Sequence, residues 1–228
     1  MSVQPAAGAG GADFFACVAE PTRSALLRRV RTIRLPKGRT LVEKDSRSTD
    51  VFLLREGTAQ VVLYSPAGRE VWVNTAGPGD LVGELAALDG EPRSTSVVAL
   101  TNLSVIAMTA AEFLACLEAS PHAALWLARR FAAGMRKLTE QVYELSLLNV
   151  QTRVHRELLR LARTGELHGG VIEIRPAPTH AELASRIGTH REAVTREIRA
   201  LAKDNIIKSG RRSLIILNLE RLERTVRP

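Results

Sequence analysis

The chain has 228 residues, of which 45% are hydrophobic, and a formal net charge of +8. This length exceeds the usual size of one domain and supplies enough apolar residues for one large core or two modest ones. From Asn149 onward, 16 Lys and Arg residues stand against 9 Asp and Glu, a net charge of +7, and the preceding residues contribute only +1. A solvated charged surface spread over the whole chain would not give this asymmetry, so we expect a polyanionic partner for the last third.

The two cysteines, Cys17 and Cys116, are far apart and have no metal-ligand spacing. They fit a reducing cytoplasm and argue against a disulfide framework. No apolar run approaches the roughly 18 residues that a membrane span needs, and Met1–Gly11 lacks the basic start and apolar core of a secretory signal. We therefore predict a soluble, cytoplasmic protein that does not contact a membrane.

The first half of the chain contains short β-type runs separated by turn residues. After an opening rich in Ala and Gly, Pro21–Val30 has the apolar spacing of a short helix, and the pattern then becomes that of strands. The predicted strands contain Ile33, Leu35, Leu41, Val51–Leu54, Val61–Tyr64, Val71–Val73, Ser96–Leu100 and Leu103–Met108. Short strands with Gly and Pro in the turns between them predict an antiparallel sandwich or barrel rather than a βαβ sheet.

A long helix is predicted next. Its apolar residues recur at alternating spacings of four and three for about three heptads. We call this set the heptad stripe: Ala124, Ala128, Phe131, Met135, Leu138, Val142 and Leu145. The 3.5-residue period of the stripe favours pairing with the same helix of a second copy, and twofold dimers are the commonest oligomers. The alternative is that the helix packs against the β domain of its own chain.

Beyond Asn149 the order of predicted elements is typical of a winged helix. A helix is followed by a Gly169-Gly170 turn, a strand at Val171–Ile174, two helices and a terminal hairpin. The residues from Leu148 to Val150 contain no Pro, Gly or Ser linker, so we expect a short hinge before this domain.

The two helices near the end have the features of a helix-turn-helix. Thr179 and Glu182 predict a capping box at the start of the first helix, and Gly188 permits the sharp turn after it. The second helix is expected from about His190 to Lys203, and the apolar residues predicted to face inward are Leu183, Ile187, Val194, Ile198 and Leu201.

The exposed residues at the start of that second helix suit contact with DNA bases. They are Arg191, Glu192, Thr195 and Arg196. Arg can donate to O6 and N7 of guanine, and Glu can accept from N4 of cytosine, whereas a carboxylate near phosphates is otherwise repelled. The alternative is an exposed amphipathic helix whose Arg and Glu side chains only pair with each other. A basic hairpin follows, and we expect its Lys208, Arg211 and Arg212 to contact phosphates.

A second informative stretch runs from Gly79 to Ser94. Gly83 precedes a short helical start whose backbone N–H groups suit an anion, and Arg93 suits a phosphate. A carboxylate at Glu84 is sensible there if it accepts a hydrogen bond from a ribose hydroxyl. The alternative is a simple salt bridge between Glu84 and Arg93 on a loop of the β domain.

The run from Thr179 to Arg196 resembles the recognition motif of the cyclic-AMP receptor/FNR (CRP/FNR) superfamily of bacterial transcription regulators. The resemblance implies that Arg191, Glu192 and Arg196 contact the G·C pairs of a TGTGA-type half-site. His190 stands where Ser is common in that family. The full set of expected DNA contacts is Thr179, His190, Arg191, Glu192, Thr195, Arg196, Lys208, Arg211 and Arg212.

The Gly79–Ser94 stretch looks like the phosphate-binding cassette of cyclic-nucleotide-binding domains. The resemblance implies that the ribose and cyclic phosphate are held by Gly83, Glu84, Leu85, Arg93 and Ser94. Two consecutive polar residues of the long helix meet the purine in the cAMP-receptor pattern, and here they correspond to Leu138 and Thr139. Leu138 cannot hydrogen-bond an adenine amino group, so the effector is expected to be cAMP, cGMP or both, with Thr139 as the remaining contact.

Other functions are disfavoured by missing residues. Two scattered cysteines cannot hold an iron–sulfur cluster, and the absence of any histidine before His122 argues against haem. We find no nucleophile–base pair, Walker-type loop or metal-ligand cluster, so we expect neither an enzyme nor a metalloprotein.

The sequence thus predicts an α+β protein with an N-terminal antiparallel β-roll of the jelly-roll type, a long dimerisation helix and a C-terminal winged helix-turn-helix. The predicted boundaries are 1–121 for the cyclic-nucleotide-binding effector domain, 122–148 for the dimerisation helix and 149–228 for the DNA-binding domain. The expected partners are double-stranded DNA, a second copy of the chain and RNA polymerase. Two alternatives stay open: a regulator that needs no ligand, and a cyclic-nucleotide-sensing adaptor that does not bind DNA.

Overall fold

The computed structural model describes residues 14–66, 68, 70–210 and 212–226. The opening segment Met1–Gly11 and the predicted phosphate contact Arg211 lie outside these residues. The chain forms two compact units, of which the first ends at Lys137 and the second begins at Leu138. None of the described helices has both the length and the apolar character needed to cross a bilayer.

The first unit is built mainly from short strands, as predicted. The strands are β1 (Arg31–Leu35), β2 (Thr40–Val42), β3 (Val51–Glu56), β4 (Ala59–Tyr64), β5 (Glu70–Ala76), β6 (Leu81–Val82), β7 (Ser96–Ala99) and β8 (Leu103–Met108). The helices are α1 (Phe14–Cys17), α2 (Thr22–Leu27), α3 (Glu84–Asp89), α4 (Ala110–Ala119) and α5 (Pro121–Leu147), the last of which continues into the second unit.

The strands form two antiparallel sheets, with the orders β1-β8-β3-β6 and β2-β7-β4-β5. Strand β3 shows how one sheet serves two cores, because successive side chains of a strand point to opposite faces. Phe52 and Leu54 pack with apolar residues of the other sheet. Val51 and Leu53 pack instead with the helices, including Phe14 and Phe113. The predicted antiparallel sandwich is therefore confirmed, and helices cover its outer face.

Helix α5 contains the whole heptad stripe, but its residues have different surroundings. Phe131 packs against the helical core of the first unit. Met135, Leu138 and Val142 are largely exposed, at 69%, 51% and 62% respectively. Leu145 lies in the second unit, where its Cδ2 would be 2.7 Å from a Cβ placed on Gly188. Ala124, Ala128 and Leu145 are exposed as well, so the stripe presents apolar surface along most of its length, and Phe131 is its one partly buried member.

The second unit has the element order of a winged helix. After the end of α5 it contains α6 (Val150–Ala162), β9 (Glu166–His168), β10 (Val171–Ile174), α7 (His180–Arg186), α8 (Arg191–Lys203), β11 (Ile207–Gly210), β12 (Ser213–Ile216) and α9 (Leu219–Arg224). The sheet is antiparallel, with the order β11-β12-β10-β9. Strand β9 and helix α9 were not predicted; Leu222 of α9 is fully buried and completes the core.

Candidate DNA-reading surface and nucleotide pocket

Helix α7 begins at the capping box that the sequence predicts. The Thr179 hydroxyl accepts a hydrogen bond from the Glu182 amide, and the Glu182 carboxylate accepts one from the Thr179 amide. These bonds satisfy two of the amides that a helix start leaves without partners. At the other end, Gly188 has φ +64° and lies close to Leu145, so a side chain would be strained there and would collide.

Helix α8 presents the predicted base-reading residues to solvent. Val194, Ile198 and Leu201 are buried in the core, and Arg191, Glu192 and Arg196 are exposed on the opposite side. Within the part of the chain that the structure describes, these three charged residues make no ion pair. Together with Thr195 and Arg199 they line an open groove. Their charges are therefore available to a ligand outside the protein.

Thr195 is a predicted base contact whose hydroxyl is already engaged. It donates to the Arg191 carbonyl at 2.9 Å and lies 2.8 Å from His180 Nδ1. Because the single hydroxyl proton goes to the carbonyl, His180 Nδ1 must donate to Thr195. Burial, and then the nearby Arg191 and Arg199 charges, lower the pKa of His180. A neutral His180 thus ties α7 to α8, a role that sequence reasoning missed.

The basic hairpin is formed by β11 and β12. Lys208 is exposed on β11, and exposed Arg212 lies in the turn with φ +68°. The Arg212 carbonyl accepts a hydrogen bond from the Ala177 amide at 3.0 Å, which fixes the turn against the segment before α7. Two of the three predicted phosphate contacts therefore lie on one exposed hairpin.

Charged side chains of α5 and α6 make contacts that the sequence did not predict. Arg153 of α6 donates to the Ile187 carbonyl at 2.7 Å, at the turn between α7 and α8. Buried Glu144, near the end of α5, pairs with Arg156 and Arg160 of α6. Sequence spacing gave no signal for these pairs, because the partners are on different helices.

The second unit also buries an ion-pair network around Glu157 of α6. Its carboxylate contacts Arg160 at 3.2 Å and Arg186 of α7 at 3.2 Å. Glu157 thereby links α6 to α7, the first helix of the helix-turn-helix. Burial of such charges is tolerated because each one is paired.

Arg93 lies at the centre of the predicted phosphate-binding cassette. It is only 2% exposed, yet its guanidinium is held by neutral oxygens: Gly83 O at 2.7 Å, Asp50 O at 2.6 Å and Ser48 Oγ at 3.1 Å. Among the described residues it makes no ion pair, so the salt bridge between Glu84 and Arg93 that was the alternative does not form. A buried guanidinium whose contacts are neutral keeps its full charge for an anion.

Gly83 is required by both its conformation and its neighbours. Its φ is +88°, and a Cβ there would lie 2.5 Å from Arg93 Nη1 and 2.8 Å from the Asp50 carbonyl. Immediately after it, Glu84 begins α3, while Leu85 and Ser94 are exposed. The predicted ribose and phosphate contacts are thus neighbours in one part of the first unit. Leu138 and Thr139 are exposed on α5 at the start of the second unit.

The charge of Glu84 depends on opposing effects. Burial raises the pKa of its carboxyl, whereas the hydrogen bond from its own amide and then the positive charges of Arg130 and Arg93 lower that pKa, and Asp80 raises it. A carboxylate acceptor, a guanidinium without a carboxylate partner and a Ser hydroxyl form the donor and acceptor set that a ribose 2′-hydroxyl and a cyclic phosphate need. The residues therefore fit a cyclic nucleotide. No group of three or more His, Cys, Asp or Glu in the described chain could hold a metal ion.

Comparison with known proteins finds relatives of both parts of the chain. Residues 32–120 match the family of cyclic nucleotide-binding domains, and residues 152–225 match the Crp-like helix-turn-helix domain. The chain is 31% identical over 175 residues to the Cyclic AMP receptor protein of Thermus thermophilus, covering 77% of this chain and 78% of that protein. It is 27% identical over 217 residues to the CRP-like cAMP-activated global transcriptional regulator of Mycobacterium tuberculosis, covering 95% and 97%.

A solved structure from the same family has a similar fold. A transcriptional regulator of the CRP family from Thermus thermophilus superimposes with a TM-score of 0.69 at 27% identity, covering 85% of this chain and 96% of that one. The fold, the order of the two domains and the relatives agree, and the chain therefore belongs to the CRP/FNR family of transcription regulators, whose members bind DNA and are not enzymes.

Proposed function

We propose that this chain is a homodimeric, cyclic-nucleotide-controlled transcription regulator that binds an inverted repeat with TGTGA-like half-sites. One observation supports the DNA-binding part most directly. Arg191, Glu192 and Arg196 are exposed together at the start of α8, and none of them forms an ion pair with another described residue. Two cations and one carboxylate left unpaired on one groove suit guanine and cytosine edges in the major groove.

The other predicted contacts would position the protein on the duplex. Lys208 and Arg212 on the exposed hairpin, with Thr179 and His190 at the two helix starts, suit phosphate oxygens. Arg211 is included in this set from its place in the sequence. Phosphate contacts set register and affinity, while α8 would set specificity.

Dimerisation would use the exposed residues of the heptad stripe. Met135, Leu138 and Val142 expose apolar surface on one helix, and a second copy would bury it. A twofold dimer carries two copies of α8, so its site should be a palindrome with half-sites about one helical turn apart. The proposal includes a cytoplasmic location and contact with RNA polymerase, since a regulator of this kind acts at promoters.

The effector would bind at the cassette. Arg93 would hold the cyclic phosphate and Glu84 the ribose hydroxyl, with Gly83, Leu85 and Ser94 around them. Thr139 would contact the purine, and Leu138 leaves room for either cAMP or cGMP, because it offers no hydrogen bond to either base. Nucleotide binding would favour one arrangement of the dimer over another and so change the affinity for DNA.

The DNA-binding part is tested by fluorescence anisotropy with a labelled palindromic TGTGA duplex. Arg191→Ala and Arg196→Ala should each weaken binding by about 1–3 kcal/mol and relax specificity at one base pair. Arg163→Ala, which removes one exposed charge at the end of α6, is the matched control and should leave specificity unchanged. Equal affinity of the wild type for palindromic and scrambled duplexes would refute sequence-specific binding and favour the adaptor.

The effector part is tested by calorimetric titration with cAMP and with cGMP. Arg93→Ala should abolish binding of whichever nucleotide the wild type takes, because the cassette loses the buried cation that would hold the phosphate. Ligand binding should also raise the midpoint of thermal unfolding. A wild type that binds neither nucleotide and recognises its operator unaided would replace this proposal with the ligand-independent regulator.

A further inference from the structure

One side chain of helix α5, Arg130, is held firmly beside the nucleotide cassette. Its Nη1 lies 2.6 Å from Asp80 Oδ1, and Asp80 Oδ2 accepts a hydrogen bond from the Gly77 amide at 2.8 Å. The Arg130 guanidinium also lies 5.1 Å from the centre of the Trp126 ring. Asp80 is 9% exposed and lies three residues before Gly83. An ion pair and an aromatic ring therefore fix the Arg130 charge beside the cassette.

Arg130 also acts on Glu84. The charged groups that act electrostatically on the Glu84 carboxylate are Arg130 from α5, Arg93 from the end of the cassette and Asp80 from the loop before β6. Burial of Glu84, the largest effect on its pKa, and Asp80 oppose the ionised form, whereas the hydrogen bond from the Glu84 amide and then the two arginines favour it. The ionised form is the one that accepts hydrogen bonds through both oxygens.

Occupation of the pocket would change this balance. A cyclic phosphate on Arg93 brings a negative charge that offsets the Arg93 guanidinium and adds repulsion toward Glu84. The only other cation of the described structure that acts on Glu84 is Arg130, whose ion-pair partner is a different carboxylate, Asp80. The need for the Arg130 charge is therefore greatest when the nucleotide is bound.

We propose that Arg130 is a positioning residue of the nucleotide site, which ties α5 to the cassette through Asp80 and supplies the positive charge that lets Glu84 accept the ribose 2′-hydroxyl while Arg93 holds the phosphate. This inference rests on the proposed nucleotide binding. Arg130 does not contact the ligand in it, and its effect passes through Glu84.

The test compares cAMP with 2′-deoxy-cAMP by calorimetric titration of the full-length protein. Arg130→Gln should weaken cAMP binding about tenfold, and it should weaken binding of the deoxy analogue much less, because the analogue lacks the hydroxyl that Glu84 accepts. Arg130→Lys should restore most of the cAMP affinity, since it keeps the charge. Arg129→Gln, which removes the neighbouring exposed charge of α5, should behave as the wild type.

A second measurement separates this role from a structural one. As the pH is lowered below neutrality, cAMP binding to Arg130→Gln should fall more steeply than binding to the wild type, because without the Arg130 charge Glu84 takes up a proton more readily. Equal loss of both nucleotides in Arg130→Gln, or an unchanged pH profile, would overturn the inference while leaving the proposed function intact. If Arg130→Gln does not fold, an Arg130→Lys protein with the wild-type preference for cAMP over its deoxy analogue supports the inference, and one without it overturns it. A wild type that binds no cyclic nucleotide would overturn both proposals.

Discussion

Replacement of Gly83 by alanine gives a sharp test of how the cassette is built. Gly83 adopts φ +88°, and an added Cβ would lie 2.5 Å from Arg93 Nη1. The methyl group must therefore displace the guanidinium that the pocket needs for an anion. Gly38→Ala is the matched control, because Gly38 has φ +82° and nothing lies within 4 Å of its Cβ position.

Both variants place alanine in a left-handed backbone conformation, but only Gly83→Ala also displaces Arg93. A left-handed backbone costs an alanine about 1–2 kcal/mol, so both should lower the free energy of unfolding by that amount. Gly83→Ala should also break the 2.7 Å bond from Arg93 to the Gly83 carbonyl. A hydrogen bond to a charged group contributes about 1.5–3 kcal/mol, so the total loss in Gly83→Ala should be about 2.5–5 kcal/mol.

Urea denaturation measures the free energies of unfolding, and titration with cAMP and cGMP measures the affinity of the pocket for each nucleotide. Gly38→Ala should bind nucleotide as the wild type does, and Gly83→Ala should bind none detectably. Equal stability losses in the two variants would show that Arg93 is not held as described. Normal nucleotide binding by Gly83→Ala would refute the argument that the Arg93 position is critical.

Three further predictions concern the second unit. Glu144→Gln should lower the free energy of unfolding by about 1.5–3 kcal/mol, because buried Glu144 pairs with two arginines. The control is Glu140→Gln, which removes an exposed carboxylate that also pairs with Arg156 and should lower the free energy of unfolding by less than about 1 kcal/mol. Equal losses of unfolding free energy for the two variants in urea denaturation would contradict the role given to Glu144. Thr179→Ala should cost about 1 kcal/mol in the same assay through loss of the capping box, and an unchanged midpoint would show that the cap is dispensable. Burial lowers the pKa of His155 from 6.5, and the nearby Glu197 carboxylate only partly opposes this effect. As the pH falls, the unfolded chain therefore binds a proton at His155 before the folded chain does, and the stability should fall below about pH 6.5. His155→Leu should reduce this acid sensitivity in thermal unfolding at a series of pH values, and an identical pH profile would refute it.

The local features of the fold were predictable because they depend on neighbouring residues. The strand runs, the Thr179 capping box, the Gly188 turn and the inward face of α8 are confirmed, as are the family and the expectation that the protein is not an enzyme. Each structural feature involves residues within a few positions of one another, where spacing determines the contact.

The contacts between distant segments could not be predicted. Asp80 and Arg130 are 50 residues apart, and Arg153 and Ile187 are 34 apart. No periodicity links such pairs, because the packing of separate elements brings them together. The heptad stripe shows the same limit, because its spacing predicted a helix correctly but not that Phe131 packs against the core of the first unit or that Leu145 lies beside Gly188.

The pairing of Glu144 with α6 affects where the DNA-binding fragment should begin. A fragment starting at Asn149 would keep the cap of α6 but lose Glu144 and Leu145. Arg156 and Arg160 would lose the carboxylate that they share, Arg160 would keep only Glu157, and the Gly188 turn would lose its neighbour Leu145. Two neighbouring cations without their shared carboxylate repel each other. A fragment starting at Leu138 keeps both contacts. The last turns of α5, from Leu138 onward, therefore belong in any recombinant DNA-binding fragment.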